Sequence, residues 1–291
     1  MSPAKPLQAS LPTRLRKQAE RLSYRFSPGR RVVPHYLIVG VKRGGTTSLA
    51  EYLFQHPDVL PPYVPKGPRY FDVNYGRGWN WYTTHFPTEA TAHRQLERTG
   101  VRPVTGDSSP YIIFHPLALE RVRLRLPSAK LVLSLRDPVV RAWSQYNYEV
   151  KRGFEDLDIH AALDAEPDRL RGEEERLRED PAYVSKAHRH NAYLARGLYA
   201  DQVRHLRDLF PPEQVHVLVA EDLFADPQAT YDGLTDFLGL PRAPLTDPRA
   251  FKANTYEPLP DDVRARLAAY YAEPNEELFE LLGRRAPWLA A

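Results

Sequence analysis

Short apolar runs alternate along this chain with longer stretches of helical periodicity. Residues 36–39 form one such run, 131–135 a second and 215–219 a third. Each reads as a buried strand, and a fourth strand is expected near 102–106. Between and after them, apolar positions recur at helical spacing near 46–56, 115–126, 140–152, 191–210, 227–239 and 260–283. Gly239-Leu240-Pro241 closes one of these helices, glycine past the end and proline just beyond. Strands interleaved with helices predict an α/β fold, a P-loop-like parallel sheet with helices on both faces. No internal repeat is visible.

The first strand runs into a glycine-rich turn, residues 40–45. A hydroxyl cluster, Thr46, Thr47 and Ser48, then opens a helix with Leu49, Tyr52, Leu53 and His56 on related faces. Strand, glycine turn and helix N-terminus together make an anion cradle. Backbone N–H groups can approach the ligand, and the helix dipole favours its charge. The ligand is therefore expected to carry phosphate or sulfate. A nucleotide-hydrolysing loop places its lysine directly after the second glycine. Gly40 and Gly45 have that spacing here, but Thr46 occupies the lysine's place and Lys42 lies inside the turn. No apolar strand ending in an acidic residue stands out as a metal-holding partner. A P-loop nucleotide kinase, the rival reading, would need a lysine at position 46.

The strand at 131–135 ends in Arg136-Asp137-Pro138, with Pro138 suited to the first turn of the next helix. A guanidinium at a strand's carboxyl edge offers a planar fork to phosphate oxygens. Ser144, eight residues on, can add a neutral donor. Alternatively, Arg136 pairs with Asp137 or caps a loop.

With these residues in view, the chain resembles the sulfotransferases that use 3′-phosphoadenosine 5′-phosphosulfate (PAPS). Lys42-Arg43-Gly44-Gly45-Thr46-Thr47-Ser48-Leu49 is similar to their 5′-phosphosulfate loop, and Arg136 with Ser144 matches their 3′-phosphate motif. Residues 66–72 (Lys-Gly-Pro-Arg-Tyr-Phe-Asp), Trp81-Tyr82 and Phe86-Pro87 look like the segment after the first helix in heparan-sulfate-type and bacterial members. Gly197-Leu198-Tyr199, Glu221-Asp222-Leu223 and Phe237-Leu238-Gly239 extend the likeness over roughly 35–288. The resemblance implies PAPS as donor, PAP as product and no metal. Lys42 would neutralise the departing 5′-phosphate, with Arg43, Gly44, Gly45, Thr46, Thr47 and Ser48 around the phosphosulfate. Arg136 and Ser144 would grip the 3′-phosphate, and Lys252 would close over it from a Pro-rich loop. Arg69, Asp72 and His115 would face the acceptor, a carbohydrate, glycolipid or natural product bearing a hydroxyl or amine.

One departure stands out. The glutamate that often serves the family as general base is Gly67 here. Asp72 and Asp107 are the nearest replacements, Asp107 at the carboxyl edge of the strand expected near 102–106. His85 and His115 come next, with ordinary pKa values of ~6.5. Gly67 also leaves open a catalytically inactive, PAP-binding member of the fold.

Composition adds little to this picture and excludes some classes. The chain has 291 residues, enough for one large domain over 35–291 behind a basic N-terminal extension, 1–34. It has no cysteine, hence no disulfide framework and no thiolate chemistry. Forty Lys and Arg against 37 Asp and Glu leave +3, unlike a nucleic-acid binder. No apolar run approaches the ~18 residues of a membrane span, and the N-terminus lacks a signal-peptide core. A cytoplasmic bacterial enzyme is the expectation, with peripheral membrane contact through the basic segment 14–31 an alternative to a frayed, solvated helix. Residues 156–189 are highly charged and read as solvent-facing helix or as a flap over the acceptor cleft. His188-x-His190, at their end, reads as a solvated turn, not a metal site. The aromatic residues between 60 and 87 could stack on an acceptor or pack in the core.

Overall fold

The computed structural model describes residues 29–64, 66–251 and 256–289. Strand β1 (Tyr36–Gly40) leads into helix α1 (Thr46–Leu53), followed by α2 (Trp79–Thr83) and α3 (Glu89–Thr99). Then come β2 (Gly106–Ser108), α4 (Ala118–Arg125), β3 (Lys130–Leu135) and α5 (Pro138–Lys151). Three helices rich in charge follow, α6 (Ile159–Leu170), α7 (Glu173–Glu179) and α8 (Lys186–His190), before α9 (Tyr199–Leu209) and β4 (Val215–Val219). Helices α10 (Ala220–Ala225), α11 (Pro227–Leu238) and α12 (Asp261–Leu282) complete the described chain. None of its helices is long and apolar enough to cross a membrane.

The four strands form one parallel sheet in the order β2-β1-β3-β4. Alternation along the strands sends their side chains to two separate cores, as a pleated backbone requires. Leu37, Val39, Leu131, Leu133 and Leu135 pack with Leu119 and Val122 of α4 and with Val203 and Leu206 of α9. Tyr36, Ile38, Val132 and Leu218 pack with Leu49 and Leu53 of α1 and with Tyr231 and Leu234 of α11. Each fully buried aliphatic side chain contributes roughly 1.5–3 kcal/mol, so both helical layers are firmly seated on the sheet. A third cluster joins α5, α6 and α12 through Ala142, Leu163 and Leu267. Because all strands run the same way, the loops after β1, β2 and β3 gather at one edge, where ligands of open α/β sheets bind.

Two expectations shift. The strand expected near 102–106 lies at Gly106–Ser108, and Val104 makes only an isolated bridge to Val59. Pro103 lacks the N–H a ladder needs, so pairing starts later and Asp107 lies within β2, opposite Leu37. The helix expected over 191–210 begins at Tyr199. Ahead of it, the N–H groups of Tyr193, Leu194 and Ala195 all donate to the buried Glu166 carboxylate, at 2.7, 2.7 and 2.8 Å. That arrangement holds the segment in a turn instead of a helix. Lys252 and most of the basic segment 14–31 lie outside the described residues.

Candidate active site

After β1 the chain turns through two left-handed residues, Arg43 (φ 73°) and Gly45 (φ 78°). An arginine in this region costs roughly 1–2 kcal/mol, and neighbouring groups hold it there. Gly44 N–H donates to Val41 O at 2.9 Å, and Arg136 Nη1 donates to Arg43 O at 3.0 Å. Ser134 Oγ in β3 donates to Gly44 O at 2.5 Å. A Cβ at Gly44 would stand 2.5 Å from Ser134 O, so only glycine fits. No side chain caps α1 and no acidic residue occupies its first turn, which leaves its leading N–H groups directed at the cleft.

That cleft, about 810 Å³, is walled by the glycine turn and the start of α1 on one side and by Arg136, just past β3, and α5 on the other. Arg43, Gly45, Thr46, Thr47, Ser48, Arg136 and Ser144 all line it. Asp137 does not pair with Arg136; its carboxylate accepts from Val139 N–H at 2.9 Å and caps α5. Arg43 Nε donates to Ser144 Oγ at 2.9 Å, linking loop and helix across the cleft. Phe251 N–H donates to Ser48 Oγ at 3.0 Å, which ties the far wall to α1.

A second cavity of about 110 Å³ lies against the same loop. Arg43, Thr46, Thr47, Lys66 and Tyr148 line both spaces. The rest of its wall includes Lys42, Arg69, Arg152, Arg189, His190 and Arg196, and no carboxylate is among its lining residues. Lys42 is thus placed on this side and not among the residues lining the larger cleft. Its Nζ donates to Glu149 Oε1 at 2.5 Å and to Arg189 O at 3.0 Å. Burial and the nearby Arg196 lower the Lys42 pKa against the opposing pull of Glu149. Glu149 is fully buried, and although burial raises its pKa, His190 and Lys42 more than offset that and keep it ionised. Arg196, 1% exposed, donates through Nη2 to His188 O at 2.7 Å, while its Nε and Nη1 find no partner among the described residues. Burial pushes its pKa down to about 10.

Gly67 is enforced by its surroundings. Its φ is 68°, and a Cβ there would stand 1.9 Å from Asp107 Oδ1 and 2.6 Å from Ser109 Oγ. The Asp107 carboxylate occupies the space a side chain at 67 would enter. It accepts from Tyr82 OH at 3.0 Å and from Ser109 Oγ at 2.8 Å, and burial pushes its pKa up to about 7. Asp72 is also buried: Oδ1 accepts from Val73 N–H at 2.7 Å, Oδ2 is unpartnered among the described residues, and burial raises its pKa to about 6. Neither aspartate lines the second cavity, whereas Arg69 does. His115 lines neither space; Leu117 N–H donates to its Nδ1 at 3.2 Å, and burial drops its pKa to about 3. His85 also lies away from both, its Nδ1 on Trp81 O at 2.9 Å. Of the aromatic residues between 60 and 87, Tyr70, Phe71, Tyr82 and Phe86 are buried core.

The charged segment 156–189 is not a plain solvent-facing stretch, and His188 and His190 are not in a solvated turn. Both histidines are buried in α8, and Arg189 between them lines the second cavity. Arg152, Arg189, His190 and Arg196, which line this cavity, and Glu149, which bonds Lys42 and His190, are the candidate residues that sequence reading missed. One signal was available: Ser144, Tyr148 and Arg152 recur every four residues and so share a face of α5.

The family profile described as "Sulfotransferase domain" matches residues 33–257. The chain belongs to the sulfotransferase family. Among its relatives, this sulfotransferase is 28% identical to heparan sulfate glucosamine 3-O-sulfotransferase 6 of Mus musculus, over 99% of this chain and 82% of that protein. It is 26% identical to the membrane-associated sulfotransferase kil1 of Dictyostelium discoideum, over 88% of this chain and 66% of that protein. The crystal structure of a sulfotransferase from Alicyclobacillus acidocaldarius superposes with a TM-score of 0.60 at 31% identity, covering 89% of this chain and all of that one. The residues matched by the family profile take in all four strands, the glycine turn and helices α5 to α8.

Proposed function

We propose that this sulfotransferase moves the sulfuryl group of PAPS onto a hydroxyl or amine of a carbohydrate acceptor that carries negative charge. The observation that supports it is the shared wall: Arg43, Thr46, Thr47, Lys66 and Tyr148 line both the larger cleft and the cationic cavity. A sulfuryl group held on the loop would face the acceptor without leaving its phosphate cradle. The nucleotide fits the larger cleft by chemistry. The α1 N-terminus takes the 5′-phosphate, and Arg136 with Ser144 takes the 3′-phosphate. Sulfuryl transfer resembles phosphoryl transfer in being an in-line displacement dominated by positioning and charge stabilisation. Arg43, lining both spaces, and the loop N–H groups neutralise the departing 5′-phosphate, with Lys42 contributing from the acceptor side.

The acceptor's charge follows from the second cavity. Lys42, Arg43, Lys66, Arg69, Arg152, Arg189 and Arg196 converge there in a chain with only three surplus positive charges overall. Buried guanidinium N–H groups without partners, as at Arg196, are costly unless an anion reaches them. Heparan sulfate, named for several relatives, is an acceptor of this chemical class. The test is transfer of label from sulfur-labelled PAPS to a panel of acidic and neutral glycans. Acidic glycans should be labelled, and Arg69→Glu should raise KM for them at least tenfold. Labelling of neutral glycans alone would contradict the acceptor class, and no transfer to any of them would contradict the reading.

A further inference from the structure

An acceptor hydroxyl must lose its proton, and Gly67 has no side chain to take it. Asp107 and Asp72 have their carboxylates turned into the protein and do not line the acceptor-side cavity. His190 does line it. We propose that His190 is the general base for the acceptor, with Glu149 as the residue that positions it; this rests on the PAPS reading above.

Three observations carry the assignment. First, Glu149 Oε2 lies 2.9 Å from His190 Nδ1, while Oε1 of the same carboxylate holds Lys42 of the phosphate loop. One fully buried carboxylate therefore fixes the imidazole relative to the loop on which the sulfuryl group would sit. Second, an ionised carboxylate can only accept, so Nδ1 carries the hydrogen and Nε2 keeps its lone pair for a proton. Third, the ring is locked on its other side: Phe154 stacks on it at 4.0 Å between centroids, and Arg152 covers the same phenyl ring at 4.7 Å. The neighbouring His188 is unsuited to the role. Its ring lies on Phe114 at 4.3 Å, and its Nδ1 is bonded to Tyr111 OH at 2.7 Å.

The groups facing His190 are Glu149 from α5, Lys42 from the phosphate loop, and Arg189, Arg152 and Arg196 around the cavity. Burial first, then Lys42 and Arg189, lower its pKa, and Glu149 opposes them. The imidazole is thereby neutral near pH 7, as a base must be. In the step, the acceptor oxygen forms a bond to sulfur and its proton passes to His190 Nε2. The sulfur–oxygen bond to the 5′-phosphate breaks, and its electron pair stays with PAP. The imidazolium then returns the proton to solvent.

The test compares kcat, its pH profile and PAP affinity in wild type, His190→Ala, His190→Gln, Glu149→Gln and Asp107→Asn. Both His190 variants should bind PAP as wild type does and lose about 10²–10⁴ in kcat, the usual worth of general-base catalysis. They should also lose the acid limb of the profile, and added imidazole should restore part of the activity of His190→Ala. Glu149→Gln should move the acid limb to lower pH, because the carboxylate raises the imidazole pKa. His190→Gln with normal PAP binding and kcat within threefold of wild type would overturn the assignment. So would an acid limb that vanishes in Asp107→Asn and persists in His190→Gln. Wild-type protein that binds PAP yet transfers no label from PAPS would instead fail at the sulfuryl-transfer reading, and the base assignment would fall with it.

Discussion

Gly67 and Asp107 compete for one volume. The glycine's left-handed φ of 68° and the 1.9 Å approach to Asp107 Oδ1 both oppose any larger residue. Gly67→Ala should destabilise the fold by about 1–3 kcal/mol, from overpacking and backbone strain together. Adding Asp107→Gly should recover the overlap part of that loss, which thermal unfolding of the single and double variants would separate. Asp107 also carries a pH signature. Its carboxyl titrates near pH 7 when folded against 3.8 ordinarily, so between these values the native state holds a proton that the unfolded state has released. Stability from this group is therefore full below pH 3.8 and falls as pH rises toward 7. Asp107→Asn should gain stability relative to wild type across that window, by up to roughly 1 kcal/mol per pH unit, and the gap should be flat on either side. Denaturant midpoints at pH 4, 5.5 and 7 measure it.

At the scale of elements, what was legible in the sequence followed from apolar continuity. β1, β3 and β4 sit where their apolar runs predict them, and the glycine turn leads into α1 at the hydroxyl cluster as expected. What was not legible is the layer from α6 to α8. Its periodicity is masked by charge, because buried carboxylates there take the place of apolar packing. Glu155 meets Arg169 at 2.6 Å and Tyr193 OH at 2.8 Å, and Glu166 collects three backbone N–H groups. A sequence shows the charge but not the donors that satisfy it, so Arg189 reads as part of a solvent-facing stretch and His190 as part of a solvated turn. Glu166, 2% exposed, offers the direct check. Glu166→Ala strands those three donors and should cost about 2–4 kcal/mol in equilibrium unfolding, far more than an exposed glutamate in α7.

At the scale of the whole molecule, the parallel sheet brings two spaces of different chemistry to one edge. One is a large cleft lined by the glycine turn, Arg136 and Ser144; the other is a small cavity ringed by cations. The phosphate loop between them is the place where a donor and an acceptor would meet. Everything proposed for the acceptor depends on the larger cleft holding a nucleotide with phosphates at both ends. Titration calorimetry with PAP and with 5′-AMP, on wild type and Arg136→Ala, tests that most directly. PAP should bind wild type at least tenfold more tightly than AMP, and the difference between the two should collapse in the variant. Equal affinity of wild type for PAP and AMP would contradict the 3′-phosphate site, and with it PAPS as the donor.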